Sequence, residues 1–192
     1  MLDIANRKEH QDHIRKLIVN WGENPERDGL IKTPERFLKS MAYLTSGYDA
    51  DVGKVVNDAL FDVAYDDMVV VRDIEFYSLC EHHMLPFYGK CHLGYIPTNK
   101  VIGLSKIPRI IDIFARRLQV QERLTNEIAQ AFSDFMKPKG VGVVIEANHL
   151  CMMMRGVEKQ GSMTISSSMQ GCFRNLETKE EFMSHVRSAR RI

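Results

Sequence analysis

Met68-Val69-Val70-Val71-Arg72-Asp73-Ile74-Glu75-Phe76-Tyr77 is the point at which the chain changes character. β-Branched and aromatic residues dominate this stretch, so it reads as a strand. Pro86 interrupts, and Phe87 to Ile96 reads as a second strand ending at Pro97. Two helical stretches follow, about Ser105 to Leu118 and Gln121 to Met136, closed by Pro138 and Gly140. Val141-Gly142-Val143-Val144-Ile145-Glu146-Ala147 opens a third strand, and the alternating, Ser/Thr/Met-rich residues 161 to 170 make a fourth. Lys179 to Arg190 reads as a short terminal helix. Upstream of Met68 the pattern is helical. Ile14, Leu17, Ile18 and Trp21 follow the i, i+3, i+4, i+7 rule and predict an amphipathic helix over 7 to 21. Thr33-Pro34-Glu35 is a helix start, with Thr33 as N-cap and Pro34 at the first position. That helix should run to about Ser46, where Gly47 can end it. The expectation is an α+β fold: a helical N-terminal arm over residues 1–50 and one catalytic domain over 51–192.

Charge excludes several functions. Lys plus Arg is 26 against 25 Asp plus Glu, a net charge of +1. No global field draws such a chain to nucleic acid or an anionic membrane, so a bound anion needs a local basic cluster. No apolar run approaches the ~20 residues of a spanning helix, and the first ten residues lack the apolar core of a signal peptide. Four cysteines without an export signal point to the reducing cytoplasm, with thiols free for metal or catalysis.

The densest chemistry is Cys80-Glu81-His82-His83. Cys80 and His83 stand in a C-x-x-H relation, which lets a tight turn aim a thiolate and an imidazole at one ion. His149 and Cys151 form a second pair, and at the end of the third strand their two-residue spacing would point both to one face. Sulfur with imidazole selects zinc over magnesium or calcium. The plainer alternatives are buried apolar cysteines and a closed four-ligand structural zinc. Two Cys/His pairs in one chain argue against the first. Against the second, five candidates are one more than a closed site uses, whereas a catalytic zinc needs three and leaves two histidines for proton transfer. Cys91 and Cys172 have no such neighbours and read as structural. There is no G-x-x-x-x-G-K-[ST] loop, so a phosphorylated substrate must be gripped by side chains. Lys106, Arg109 and Arg155 are candidates; Arg36 and Lys39, sharing a helix face, also suit a solvated surface.

Cys80-Glu81-His82-His83-Met84-Leu85-Pro86-Phe87-Tyr88-Gly89, Gly103-Leu104-Ser105-Lys106-Ile107, Val120-Gln121-Glu122-Arg123-Leu124-Thr125 and His149-Leu150-Cys151-Met152 through Arg155-Gly156-Val157 together closely resemble the type I GTP cyclohydrolase family. The resemblance extends from Thr33-Pro34-Glu35-Arg36 to the C-terminal helix. It implies the tunnelling fold, an antiparallel sheet backed by helices, and a homodecamer with active sites at subunit interfaces. It implies zinc ligands Cys80, His83 and Cys151, proton-transfer histidines His82 and His149, and Ser105 by the ribose. Gln121 and Glu122 would hold the guanine edge, a carboxylate accepting from N1–H and the exocyclic amine. Lys106, Arg109, Arg155, Arg36 and Lys39 would grip the triphosphate. The implied reaction is hydrolysis of GTP at C8, release of formate and rearrangement to 7,8-dihydroneopterin triphosphate, the first step of pterin and tetrahydrofolate biosynthesis. The rivals are another tunnelling-fold pterin or deazapurine enzyme and a non-catalytic zinc-stabilised assembly module.

Overall fold

The computed structural model describes residues 7–188. Two helices, α1 (Lys8–Asn20) and α2 (Thr33–Leu44), precede a 3-10 turn at Ser46–Asp49 and a short α3 (Val52–Val56). Then come β1 (Leu60–Asp62), β2 (Val69–Cys80), β3 (Pro86–Ile96), β4 (Lys100–Ile102), α4 (Lys106–Ala115), β5 (Leu118–Gln119) and α5 (Gln121–Met136). The chain closes with β6 (Gly140–His149), α6 (Leu150–Met153), β7 (Thr164–Gly171) and α7 (Leu176–Arg187). The principal sheet has the order β5-β2-β3-β6-β7, and β1 pairs with β4 apart from it. Its long pairings are antiparallel; only the two-residue β5 runs parallel to β2.

β6 shows why its sequence is an almost unbroken apolar run. Val141, Val143, Ile145 and Ala147 face the larger core with Ile107, Ile110 and Ile111 of α4 and Leu124, Ile128 and Phe132 of α5. Val144, on the opposite face, packs with Phe173 and Phe182 beneath α7. Both faces of the strand are covered, so alternation gives way to continuous hydrophobicity. Phe132 is 1% exposed within the larger core. Phe132→Ala is expected to lower unfolding free energy by about 3–5 kcal/mol in chemical denaturation, through lost transfer energy and a residual cavity.

Several boundaries differ from the sequence reading. Thr33 is the first helical residue rather than the N-cap, which is Lys32, and its hydroxyl donates back to the Gly29 carbonyl at 3.2 Å. α2 stops at Leu44, and Gly47 serves a different purpose from ending it. A Cβ on Gly47 would lie 2.0 Å from the Ile113 carbonyl oxygen. The Gly47 N–H donates to Arg116 O at 2.9 Å, and Arg117 Nε donates to Gly47 O at 3.2 Å, so the Ser46–Asp49 turn is stitched to the end of α4 through a site only glycine fits. The terminal helix begins at Leu176, earlier than expected, and Arg190 lies outside the described residues. His92, 3% exposed on β3, accepts from Asp73 N–H through Nδ1 and leaves Nε2 without a partner. Among the described residues no helix is long and apolar enough to cross a membrane.

Candidate functional site

β2 ends at Cys80 and the chain turns at once. Cys80 N–H donates to Leu85 O at 2.9 Å, while the N–H groups of His83 and Met84 converge on Cys80 O at 3.3 and 2.7 Å. The turn holds Met84 at φ 54°, a left-handed conformation that a non-glycine residue adopts only under local constraint. Cys80 stays buried, whereas Glu81, His82 and His83 project outward. The Glu81 N–H donates to Gln119 O at 3.0 Å, and its carboxylate pairs with Arg123. Arg123 also donates to Gln119 Oε1 at 2.9 Å and Leu118 O at 3.0 Å. The Arg123 hydrogen bond holds the Glu81 carboxyl below the usual carboxylate range. These contacts fasten the Cys80–His83 turn to the start of α5.

β6 delivers the second segment. In the β3–β6 register Phe87 stands opposite His149, and the two rings stack with centroids 4.7 Å apart and planes 1° from parallel. β6 ends at His149, so strand alternation does not aim Cys151, contrary to the expectation from spacing. Cys151 lies in the single turn of α6 instead. The result is a convergence: donor atoms of Cys80, His83 and Cys151 all lie within 4.8 Å of one another. Cys80 Sγ is 4.0 Å from His83 Nδ1 and 3.8 Å from His82 Nδ1. Burial, and after it the neighbouring Cys80, push the Cys151 thiol above the ordinary thiol range. Two thiols this close resist joint ionisation, and a divalent cation between them removes that penalty. Two sulfurs and one imidazole therefore fit a metal ion, and their softness fits zinc.

Beside the trio lies a cleft of ≈ 220 Å³ whose lining includes His82, Gln121, Glu122, His149, Cys151 and Met152. Glu122 is exposed in the first turn of α5, where the helix dipole favours a carboxylate. His149 is partly buried, and that burial lowers its pKa, opposed by the nearby charge of Glu122. Gln121 is only 2% exposed. Its Nε2 donates to Ile145 O, Thr164 O and Ser166 Oγ at 3.1, 3.0 and 3.0 Å, and its Oε1 meets His149 Nε2 at 2.8 Å. The side chain expected on the guanine edge is thus already engaged within the fold.

Arg155 reaches the metal trio, with Nη1 3.2 Å from His83 Nε2. Ser105 stands at the N-cap position of α4 without a side-chain cap hydrogen bond, and Lys106 and Arg109 follow on that helix. Arg36 and Lys39 lie on α2, where Lys39 pairs with Glu35. Ser105, Lys106, Arg109, Arg36 and Lys39 do not line the cleft of their own chain. Four contributors escaped sequence reasoning: Phe87 under His149, Arg123 behind Glu81, and Thr164 with Ser166 behind Gln121. The alternating Ser/Thr of β7 was the available signal, because polar residues turned toward helices need polar partners there.

A sequence model of the family described as GTP cyclohydrolase I matches residues 10–187. A Campylobacter jejuni (strain 81-176) protein named GTP cyclohydrolase 1 is 54% identical over 186 residues, covering 96% of this chain and 98% of its own. One from Leptospira biflexa is 57% identical over 176 residues, covering 91% and 96%. A Pseudomonas putida protein named GTP cyclohydrolase 1 2 is 58% identical over 176 residues, covering 91% and 95%.

Proposed function

The chain belongs to the GTP cyclohydrolase I family, and from that premise we propose that its cleft opens GTP at C8, releases formate and returns 7,8-dihydroneopterin triphosphate. It is a hydrolase, and its antiparallel-rich sheet packed against helices matches the family's tunnelling fold. The observation that carries the finer reading is the Cys80–His83–Cys151 trio at the edge of a cleft that also holds two histidines and Glu122. Held by those three residues, zinc supplies Lewis acidity and lowers the pKa of water.

The remaining roles fall to the chain's own groups. Glu122 accepts from N1–H and the exocyclic amine, so guanine is oriented and adenine refused. His82, exposed and beside Cys80, moves a proton at N7 and makes C8 more electrophilic. His149 and Ser105 serve the later proton movements at the sugar. Lys106, Arg109, Arg155, Arg36 and Lys39 hold the triphosphate. Arginine only donates, so the Arg155 contact needs a lone pair at His83 Nε2. The described cysteines are all free, in keeping with a cytoplasmic workplace.

The overall test is direct: zinc-loaded protein incubated with GTP should yield the fluorescence of neopterin after oxidation, and intact GTP would overturn the reading. Glu122 has its own test. Glu122→Gln should weaken GTP by roughly 5- to 150-fold, since ~1–3 kcal/mol follows from unpaired buried donors. Inosine triphosphate, which lacks the exocyclic amine, should lose less. Unchanged GTP affinity removes Glu122 from the guanine edge.

We also propose a homodecamer whose sites are shared between subunits. Support comes from Ser105, Lys106, Arg109, Arg36 and Lys39, which do not line their own chain's cleft. Activity then depends on assembly. His82→Ala and Arg36→Ala, each inactive, should regain measurable turnover when dissociated, mixed and reassembled. Mixed oligomers as dead as their parents would place both residues in one subunit's site.

A further inference from the structure

We propose that Gln121 is a positioning residue: its amide fixes His149 as the tautomer protonated at Nε2, so that the ring meets the substrate with an acceptor at Nδ1. The argument is a chain of donors with only one consistent direction. Thr125 Oγ1 lies 2.7 Å from Gln121 O and must donate to that carbonyl. Its single proton is thereby used, so in the 2.6 Å contact with Ser166 Oγ the serine is the donor. Ser166 Oγ is then left to accept, and it does so from Gln121 Nε2 at 3.0 Å. The same nitrogen faces the carbonyls of Ile145 and Thr164. Rotating the amide by half a turn would set an oxygen against two carbonyl oxygens in a site that is nearly sealed. The nitrogen end is therefore fixed by its neighbours, and Oε1 is the atom that faces His149.

An amide oxygen only accepts, so His149 Nε2, 2.8 Å away, carries the proton. In the neutral imidazole Nδ1 then holds the lone pair. Nδ1 has no hydrogen-bond partner among the described residues and is not sealed from solvent, and the ring lines the cleft. Phe87, stacked parallel on the His149 ring, holds its plane while Gln121 selects its edge. Two consequences follow, both resting on the function proposed above. With Nε2 engaged by Gln121, His149 accepts at Nδ1 and donates nothing there, so delivery of a proton to N7 falls to His82. Of the adjacent pair Gln121 and Glu122, Glu122 alone offers a side chain to guanine.

Neutron diffraction from crystals of the zinc-loaded protein exchanged into heavy water reads the tautomer without any variant. Deuterium on Nε2 and none on Nδ1 is expected; deuterium on Nδ1 overturns the proposal. Gln121→Met keeps the volume and removes both halves of the amide. It should lower kcat by roughly 10- to 100-fold, the usual scale for groups that orient a ligand or catalyst from behind, while KM for GTP and the preference for GTP over inosine triphosphate hold. A Gln121→Met protein with intact kcat but lost guanine preference would make Gln121 a substrate contact and end the proposal. The neutron result does not need GTP to be the substrate. Protein that leaves GTP untouched yet carries deuterium on Nε2 would remove the proposed function and leave the positioning role standing.

Discussion

Cys151→Ser is expected to leave the protein folded, devoid of zinc and without measurable turnover of GTP. A three-donor site cannot spare a donor, and serine offers a harder, much less acidic ligand than thiolate. Cys151 is the cleanest of the three to remove, because it is only partly buried in the single turn of α6. Cys80 is 6% exposed within the larger core, so its replacement mixes metal loss with packing loss. Metal analysis of purified Cys151→Ser, beside a thermal melt, separates the two. A full complement of zinc in that variant would take Cys151 out of the ligand set.

His82→Ala should behave in the opposite way, keeping its zinc and losing turnover by roughly 10²–10⁴-fold, the range for a displaced proton-transfer group. The His82 side chain is 64% exposed, so truncation opens no cavity and should hardly move the melting temperature. Zinc content, melting temperature and kcat, measured on one preparation, give the whole pattern. Near-normal turnover would assign the N7 proton to another group.

What the amino-acid sequence makes legible depends on how far away a residue's partners lie. Periodicity locates the long elements well: α5 begins at Gln121 and ends at Met136 as expected, because a three-and-four spacing on one core face leaves little freedom. The long strands β2, β3 and β6 are equally plain, being apolar over most of their length. The short pairings are not. β4 and β5 are three and two residues long, and β5 exists because Leu118 and Gln119 meet Leu79 and Cys80 across distant sequence. No local propensity reports such a partner.

Legibility within the site follows the same division. The C-x-x-H spacing locates one end of the metal trio, since a tight turn acts over four residues. Cys151 joins the trio for a different local reason from the one its spacing suggests, because β6 stops before the alternation argument can reach it. Gln121 shows the deeper difficulty. Its residue type suits a guanine edge and an internal brace equally well, and only Ile145, Thr164 and Ser166, 24 to 45 residues away, decide what its nitrogen meets. Phe87 beneath His149 is likewise a product of register rather than of nearby sequence.

The central claim is that this cleft, with its Cys80–His83–Cys151 centre, removes C8 from the purine. GTP carrying isotope at C8 tests it most directly, incubated with zinc-loaded protein and with the Cys151→Ser variant. The account predicts labelled formate from the zinc-loaded protein, in equal amount to the pterin formed, an unlabelled pterin product, and no release from the variant. Label retained in the purine, or formate released equally by the zinc-free variant, would contradict it.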